Sequence, residues 1–125
     1  MTYPPRLTGL RGNHPGANTH AHARAWQNDF SAGSIIDTTE SYDLVIVGAG
    51  LSGLAAAFFY RQAHGPDKKI LILDNHDDFG GHAKRNEHTV DGRQLITYGG
   101  SQTLVEPHNA GQEIKTLFEG IGIDL

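Results

Sequence analysis

The sequence predicts an α/β fold, a strand–helix–strand unit of parallel type preceded by an irregular N-terminal arm. Two observations predict it. The apolar run Tyr42 to Val47 breaks into glycines and resumes from Leu51 as an alanine-rich run of a different kind. A second short aliphatic run, Lys69 to Leu73, then follows a Gly65-Pro66 break and ends in an acid, Asp74.

Residues 1–41 form the arm and residues 42–125 the folded part. The arm has no long periodic stretch and carries Pro4, Pro5 and Pro15, three histidines (His14, His20, His22), Trp26 and Phe30. It reads as a segment that packs on something else, with one short helix near Ala21 to Phe30. Tyr42 to Val47 is aliphatic and β-branched over strand length, which suits a buried parallel strand. Leu51 to Ala63 is rich in small and apolar residues that favour a helix, and Gly65-Pro66 stops it. Lys69 to Leu73 is the second strand, and the crossover rule makes the two strands parallel neighbours. Near the end, Ile114, Leu117, Phe118 and Ile121 fall on one helical face, most simply as core packing.

Composition narrows the function classes. A chain of 125 residues fits one ordinary domain and one site. Its 38% hydrophobic and 19% charged residues are globular values, and no apolar run approaches the roughly 20 residues that span a bilayer. A soluble chain is expected. The net charge of −4, with Lys and Arg scattered, gives no support to a nucleic-acid partner. Without cysteine there is no disulfide, thiolate zinc site, iron–sulfur cluster or thioether-linked haem. The first residues lack a secretory pattern, so a cytoplasmic location is expected, or a periplasmic one if a signal has already been removed.

The junction at residue 48 carries the chemistry. Gly48-Ala49-Gly50-Leu51-Ser52-Gly53 is G-x-G-x-x-G placed where a strand becomes a helix. Gly48 permits the tight turn, Gly50 lets a pyrophosphate approach the backbone, and Gly53 lets helix and strand pack closely. The helix start at Leu51 and Ser52 offers unpaired N–H groups and a positive dipole end to phosphates. Asp74 lies about 20 residues past the motif, at the end of the next strand, where a carboxylate accepts ribose hydroxyls and repels a 2′-phosphate. A purely structural glycine turn is the competing reading. Strand, helix and acid together favour dinucleotide binding and a partial Rossmann-like βαβ unit.

The next stretch, "DNHDDFGGHAKRNE", departs from the usual course of a nicotinamide-binding half, which proceeds directly to another helix. Gly80-Gly81 comes soon after the acid, followed by His82, Lys84 and Arg85. Here the sequence resembles the flavin amine oxidases and related FAD-dependent oxidoreductases, whose ribose-binding acid is followed by a Gly-Gly-Arg segment lying along FAD. Asp74 stands in place of the family's more usual Glu, and His82 in place of its Arg. Gly99-Gly100, in "LITYGGSQTL", resembles the family's later glycine pair near the flavin ring. A strand-end turn is the other reading of that pair. His82, Lys84 and Arg85 either offset phosphate charge or are ordinary surface cations, and His76, Asp77 and Asp78 read as a solvated loop.

With the arm included, "PPRLTGLRGNHPG", "GGHAKRNE", "YGGSQTL" and the ending "IKTLFEGIGIDL" are similar to the bacterial spermidine dehydrogenase family. That resemblance implies FAD and haem b, oxidation of a small-molecule amine such as a polyamine, hydride transfer to flavin from the carbon beside the nitrogen, and an electron acceptor. It implies FAD contacts at Gly48, Gly50, Leu51, Ser52, Gly53, Asp74, Gly81, His82, Gly99 and Gly100. It also implies haem-iron ligation, for which His14 and His22 are the leading pair, with Trp26 and Phe30 against the porphyrin or in an ordinary core. Solvated imidazoles or a zinc site are the other readings of these histidines. No catalytic acid or base can be named. An enzyme of this kind needs further strands and a substrate domain, so the chain is expected to be a fragment, one subunit of a split enzyme or a remnant. A binding module that holds an adenine dinucleotide without chemistry is the alternative.

Overall fold

A computed structural model describes residues 12–14, 16–27 and 36–125. Two small sheets and three helices organise them. Helix α1 spans Thr19–Gln27; strand β1, Leu44–Val47, leads into helix α2, Leu51–His64, and strand β2, Ile70–Leu73. A single 3-10 turn at Gly81–Ala83 precedes strands β3, Asn86–Val90, and β4, Arg93–Thr97, and the chain continues to helix α3, Gln112–Gly120.

β1 and β2 pair in parallel from Leu44 opposite Ile70 to Val47 opposite Leu73. The expected α/β unit is therefore present, with boundaries within two residues of those read from the sequence. Asp43 closes its outer end. Its carboxylate accepts the Lys68 ammonium at 2.8 Å and the Lys69 N–H at 2.9 Å, while its own N–H donates to the Lys69 carbonyl. α2 contains no β-branched residue and ends at Gly65, whose positive φ of 105° lets its N–H reach the Arg61 carbonyl before Pro66 forbids continuation.

Along β1 the burial alternates. Leu44 and Ile46 are half-buried toward α2, whereas Val45 and Val47 are 51% and 86% exposed. One face of β1 is thus covered and the other exposed, and on that second face β2 presents half-buried Leu71 and exposed Leu73. Among the described residues the buried apolar side chains are Ala17 and Ala49 alone. α3 behaves similarly: Leu117 and Phe118 are half-buried and Gly120 lies so close to the Phe58 ring that a Cβ would strike it, yet Ile114 and Ile121 stay exposed. The core role expected for that face is half realised: among the described residues, α2 is the element that packs against it.

The β3–β4 hairpin was not among the sequence expectations. Its strands pair antiparallel from Asn86 opposite Thr97 to Val90 opposite Arg93, across the two-residue loop Asp91-Gly92. Both loop residues have positive φ, 50° and 73°, as the tight hairpin turn demands. Asp-Gly between two five-residue runs was the signal for it.

The arm docks on this hairpin. Asn13 makes a parallel bridge to Asn86, with its N–H donating to the Arg85 carbonyl at 2.8 Å and its carbonyl accepting from Glu87 at 2.9 Å. Gly12 donates its N–H to Asp78 Oδ2 at 2.7 Å, His14 Nε2 meets Asp77 Oδ2 at 3.2 Å, and the Asp77 N–H donates to the Ala17 carbonyl. Asp77 and Asp78, expected as a solvated loop, are half-buried anchors for the arm. The short helix expected near Ala21 to Phe30 forms as α1; residue 30 lies outside the described residues.

Candidate dinucleotide site

The site begins where β1 and β2 end side by side. Gly48 turns the chain at φ 103°, and its N–H donates to the Leu73 carbonyl at 2.6 Å, which pins the first turn to the end of β2. The next residue, buried Ala49, donates its N–H to Asp74 Oδ2 at 2.6 Å. Asp74 Oδ1 accepts the His76 N–H at 2.8 Å. The acid expected to face a ribose therefore also ties the glycine turn to the loop after β2, a task that spacing along the chain could not reveal. Each carboxylate oxygen can accept a second hydrogen bond, so the ribose reading remains geometrically open. Partial burial works against the charged form of Asp74. The N–H donors of His76 and Ala49, helped by the positive fields of Lys84 and His76, outweigh it and hold the carboxyl below its ordinary range.

Gly50 precedes α2 and provides no side-chain cap, so the N–H groups of Leu51, Ser52 and Gly53 open the helix without intrahelical acceptors. A Cβ at Gly53 would run into the Gly48 carbonyl oxygen and come within 3.2 Å of the Ile46 side chain. Only glycine lets α2 start this close to β1. A Cβ at Gly50 would find just the Gly81 Cα, at 3.8 Å. Gly50 is thus not required by the packing of the protein around it, which leaves its missing side chain to a ligand.

The second glycine pair closes over this turn. Gly80 donates its N–H to the Ala49 carbonyl at 2.7 Å, and Gly81, at φ 55°, sits so near Gly50 that an added Cβ would be 2.9 Å from the Gly50 Cα. His82, Lys84 and Arg85, which follow, go three ways. His82 is exposed, and its backbone carbonyl accepts the N–H groups of Gly100 at 2.6 Å and Ser101 at 3.1 Å. Arg85 turns away to Glu87, which it meets through Nη2 at 2.6 Å and Nε at 2.9 Å. Lys84 is buried, 7% exposed. Gly99 is held against the carbonyls of Lys84 and His82, where a Cβ would not fit. Both glycine pairs, nineteen residues apart in sequence, thereby meet at the mouth of the first turn.

Two adjoining cavities result. One, about 400 Å³, is bordered by Gly48, Gly50, the first residues of α2 and Gly80 to Ala83. The other, about 380 Å³, is bordered by Asp74, His76, Lys84, Gly99, Gly100 and Asn13 of the arm; Gly81 and His82 form the rim between them. Every residue expected to contact FAD borders one of the two.

Residues 46–120 match the model of the NAD(P)-binding Rossmann-like domain, well over half of the chain. The chain belongs to this family. It is a dinucleotide-binding family common in FAD-dependent oxidoreductases. Its match runs past β2 through the hairpin to the end of α3, so the Rossmann-like domain here includes the second glycine segment as well as the first turn. No curated protein matches the chain closely enough to count as a relative.

His14 and His22, the expected iron ligands, face different partners. His14 Nε2 is against Asp77, while His22 Nε2 is 2.9 Å from the Asn18 amide one helical turn away and its ring lies 5.4 Å from that of Trp26. Among the described residues no three metal-ligating side chains gather, and no helix is long and apolar enough to cross a membrane.

Proposed function

We propose that this chain holds the ADP portion of FAD as the N-terminal part of a flavin-dependent amine dehydrogenase. One observation carries the choice of FAD over a nicotinamide dinucleotide. After β2 the chain does not continue into the helix of a second βα unit but doubles back through Gly80-Gly81, which docks on the first turn with the 2.7 Å bond from Gly80 to Ala49. The glycine cradle at Gly50 and Gly81 suits a pyrophosphate: a Cβ built at Gly50 meets only the Gly81 backbone, and the first N–H groups of α2 open beside it. The amine, a polyamine in the first instance, is supported by the sequence resemblance in the arm and both glycine segments.

Bound FAD would supply the hydride acceptor for a carbon beside a neutral amine. The chain's own residues bind and orient. Gly48, Gly50 and the N–H groups of Leu51, Ser52 and Gly53 hold the diphosphate, Asp74 the ribose hydroxyls, and Gly81, His82, Gly99 and Gly100 line the path toward the ring. The bare face of β1, where Val45 and Val47 lie exposed, supports a further partner: parallel sheets are covered on both faces, so the remainder of the enzyme or a complementary subunit packs there. The separate partners of His14 and His22 give no support to haem ligation by that pair, and the proposal stands on the dinucleotide alone.

Calorimetric titration with FAD, NAD+ and NADP+ tests the reading. FAD is expected to bind most tightly, and Gly50→Val is expected to remove that binding while the chain stays folded. Tight binding of a nicotinamide dinucleotide with none of FAD would overturn the flavin assignment.

A further inference from the structure

A lysine ordinarily lays its stem along the protein and keeps its ammonium in water. Lys84 does not. The residue is 7% exposed, and among the described residues its Nζ has no hydrogen-bond partner. The acid whose field it shares, Asp74, accepts the N–H groups of Ala49 and His76 and no hydrogen bond from Nζ. The neighbouring cation, Arg85, is by contrast fully engaged with Glu87.

The position of Lys84 is as unusual as its burial. Its stem passes 3.1 Å from where a Cβ on Gly80 would stand, and its carbonyl fills the space a Cβ on Gly99 would need. The residue is wedged between the two glycine pairs and is one of those lining the 380 Å³ cavity, with Asp74, His82 and Gly100, while its Nζ lies buried behind that wall. A buried cation without a bonded partner costs stability. A cation of that kind on the wall of a ligand cavity is half of an ion pair whose other half arrives with the ligand.

We propose that the Lys84 ammonium binds a phosphate of the adenine dinucleotide, turning into the cavity as the ligand enters. The proposal rests on the dinucleotide reading above and adds to it the side chain that supplies positive charge. No hydrogen bond has to break for the turn, and the four-carbon stem gives it reach. The phosphate has two sources. One is the pyrophosphate common to FAD, NAD+ and NADP+, which the proposal takes as the partner; the other is the 2′-phosphate of NADP+, which the Asp74 carboxylate in the same cavity disfavours.

The test compares wild type, Lys84→Met and Lys84→Arg by calorimetric titration with the three dinucleotides, alongside thermal unfolding of the ligand-free chains. Lys84→Met is expected to weaken binding about 10- to 100-fold, the value of one charge-assisted hydrogen bond. It is also expected to unfold at the same or a higher temperature, since a buried unpaired charge has been replaced by an apolar side chain of similar length. Lys84→Arg is expected to retain binding. Loss across all three dinucleotides supports the pyrophosphate as the source, and loss for NADP+ alone overturns it in favour of the 2′-phosphate. Undiminished binding by Lys84→Met, or a fall in its unfolding temperature with affinity unchanged, overturns the proposal while leaving the dinucleotide reading intact. A wild-type chain that binds none of the three overturns both.

Discussion

The two halves of the site are built from different materials. The first, from β1 to β2, presents backbone: glycines at 48, 50 and 53, the open N–H groups of α2, and a carboxylate that is itself bonded to backbone N–H groups. The second, from Gly80 to Ser101, brings side chains of three kinds to bear, one exposed histidine, one buried lysine and one arginine locked to a glutamate. Backbone groups recognise what all dinucleotides share, a diphosphate and a ribose. On the proposed function, discrimination and charge compensation fall to the second half, which a loop and a hairpin can vary without disturbing the parallel pair.

That contrast can be broken from either side. The largest effect is expected from Gly53→Ala. Its new Cβ meets the Gly48 carbonyl oxygen, a backbone atom that cannot step aside, so the turn must distort at a cost of about 1–3 kcal/mol or more. Thermal unfolding reads the loss; an unchanged midpoint would show that α2 can shift away from β1. Gly50→Ala is the partner experiment, because its Cβ makes only ordinary contact with Gly81. It should unfold normally and bind dinucleotide poorly, and the reverse pattern would exchange the roles assigned to the two glycines.

Asp74→Ala comes next. It removes the acceptor of two backbone N–H groups and, on the proposed function, of the ribose hydroxyls, and is expected to weaken FAD binding by roughly 1.5–3 kcal/mol with a smaller loss of stability. Equal dissociation constants for variant and wild type would confine Asp74 to its structural task. In the second half, Gly92→Ala places a Cβ at φ 73° in the hairpin loop and should lower stability by about 1 kcal/mol without touching the first turn, as measured by thermal unfolding and FAD titration together.

The smallest expected effect is on pH dependence. Asp74 titrates below its ordinary value because the backbone donors and positive fields around it outweigh its partial burial. A depressed folded pKa contributes stability that is present above the unfolded value, about 4, and is lost as pH falls through the folded one. Acid unfolding of wild type should therefore be steeper below about pH 4 than that of Asp74→Asn; parallel curves would show that the bonds to Ala49 and His76 carry no net stabilisation.

Much of the first half was legible in the sequence. The strand, the turn, the helix and the second strand each depend on neighbours in the chain: β-branched residues for β1, Gly65-Pro66 for the end of α2, and a motif whose spacing is set by one turn of backbone. The hairpin was legible too, through Asp91-Gly92, but its five-residue strands carry Asn86, Glu87, Arg93 and Gln94 in place of the aliphatic run that marks a buried strand. Its burial is low, so hydrophobic pattern gave no warning of it.

Residue order alone determined that a strand would become a helix through a side-chain-free turn, with an acid returning to it about 20 residues later. Those features are local, and their physics is steric exclusion and chain reach. The tertiary structure decided the rest. It brought Gly80-Gly81 and Gly99-Gly100 to the mouth of that turn, set Asn13 beside Asn86, gave Asp77 and Asp78 to the arm, and sent His82, Lys84 and Arg85 to three different fates. Whether a lysine ends in water or under a glycine pair depends on which distant backbone comes to lie over it, and no periodicity along the chain encodes that.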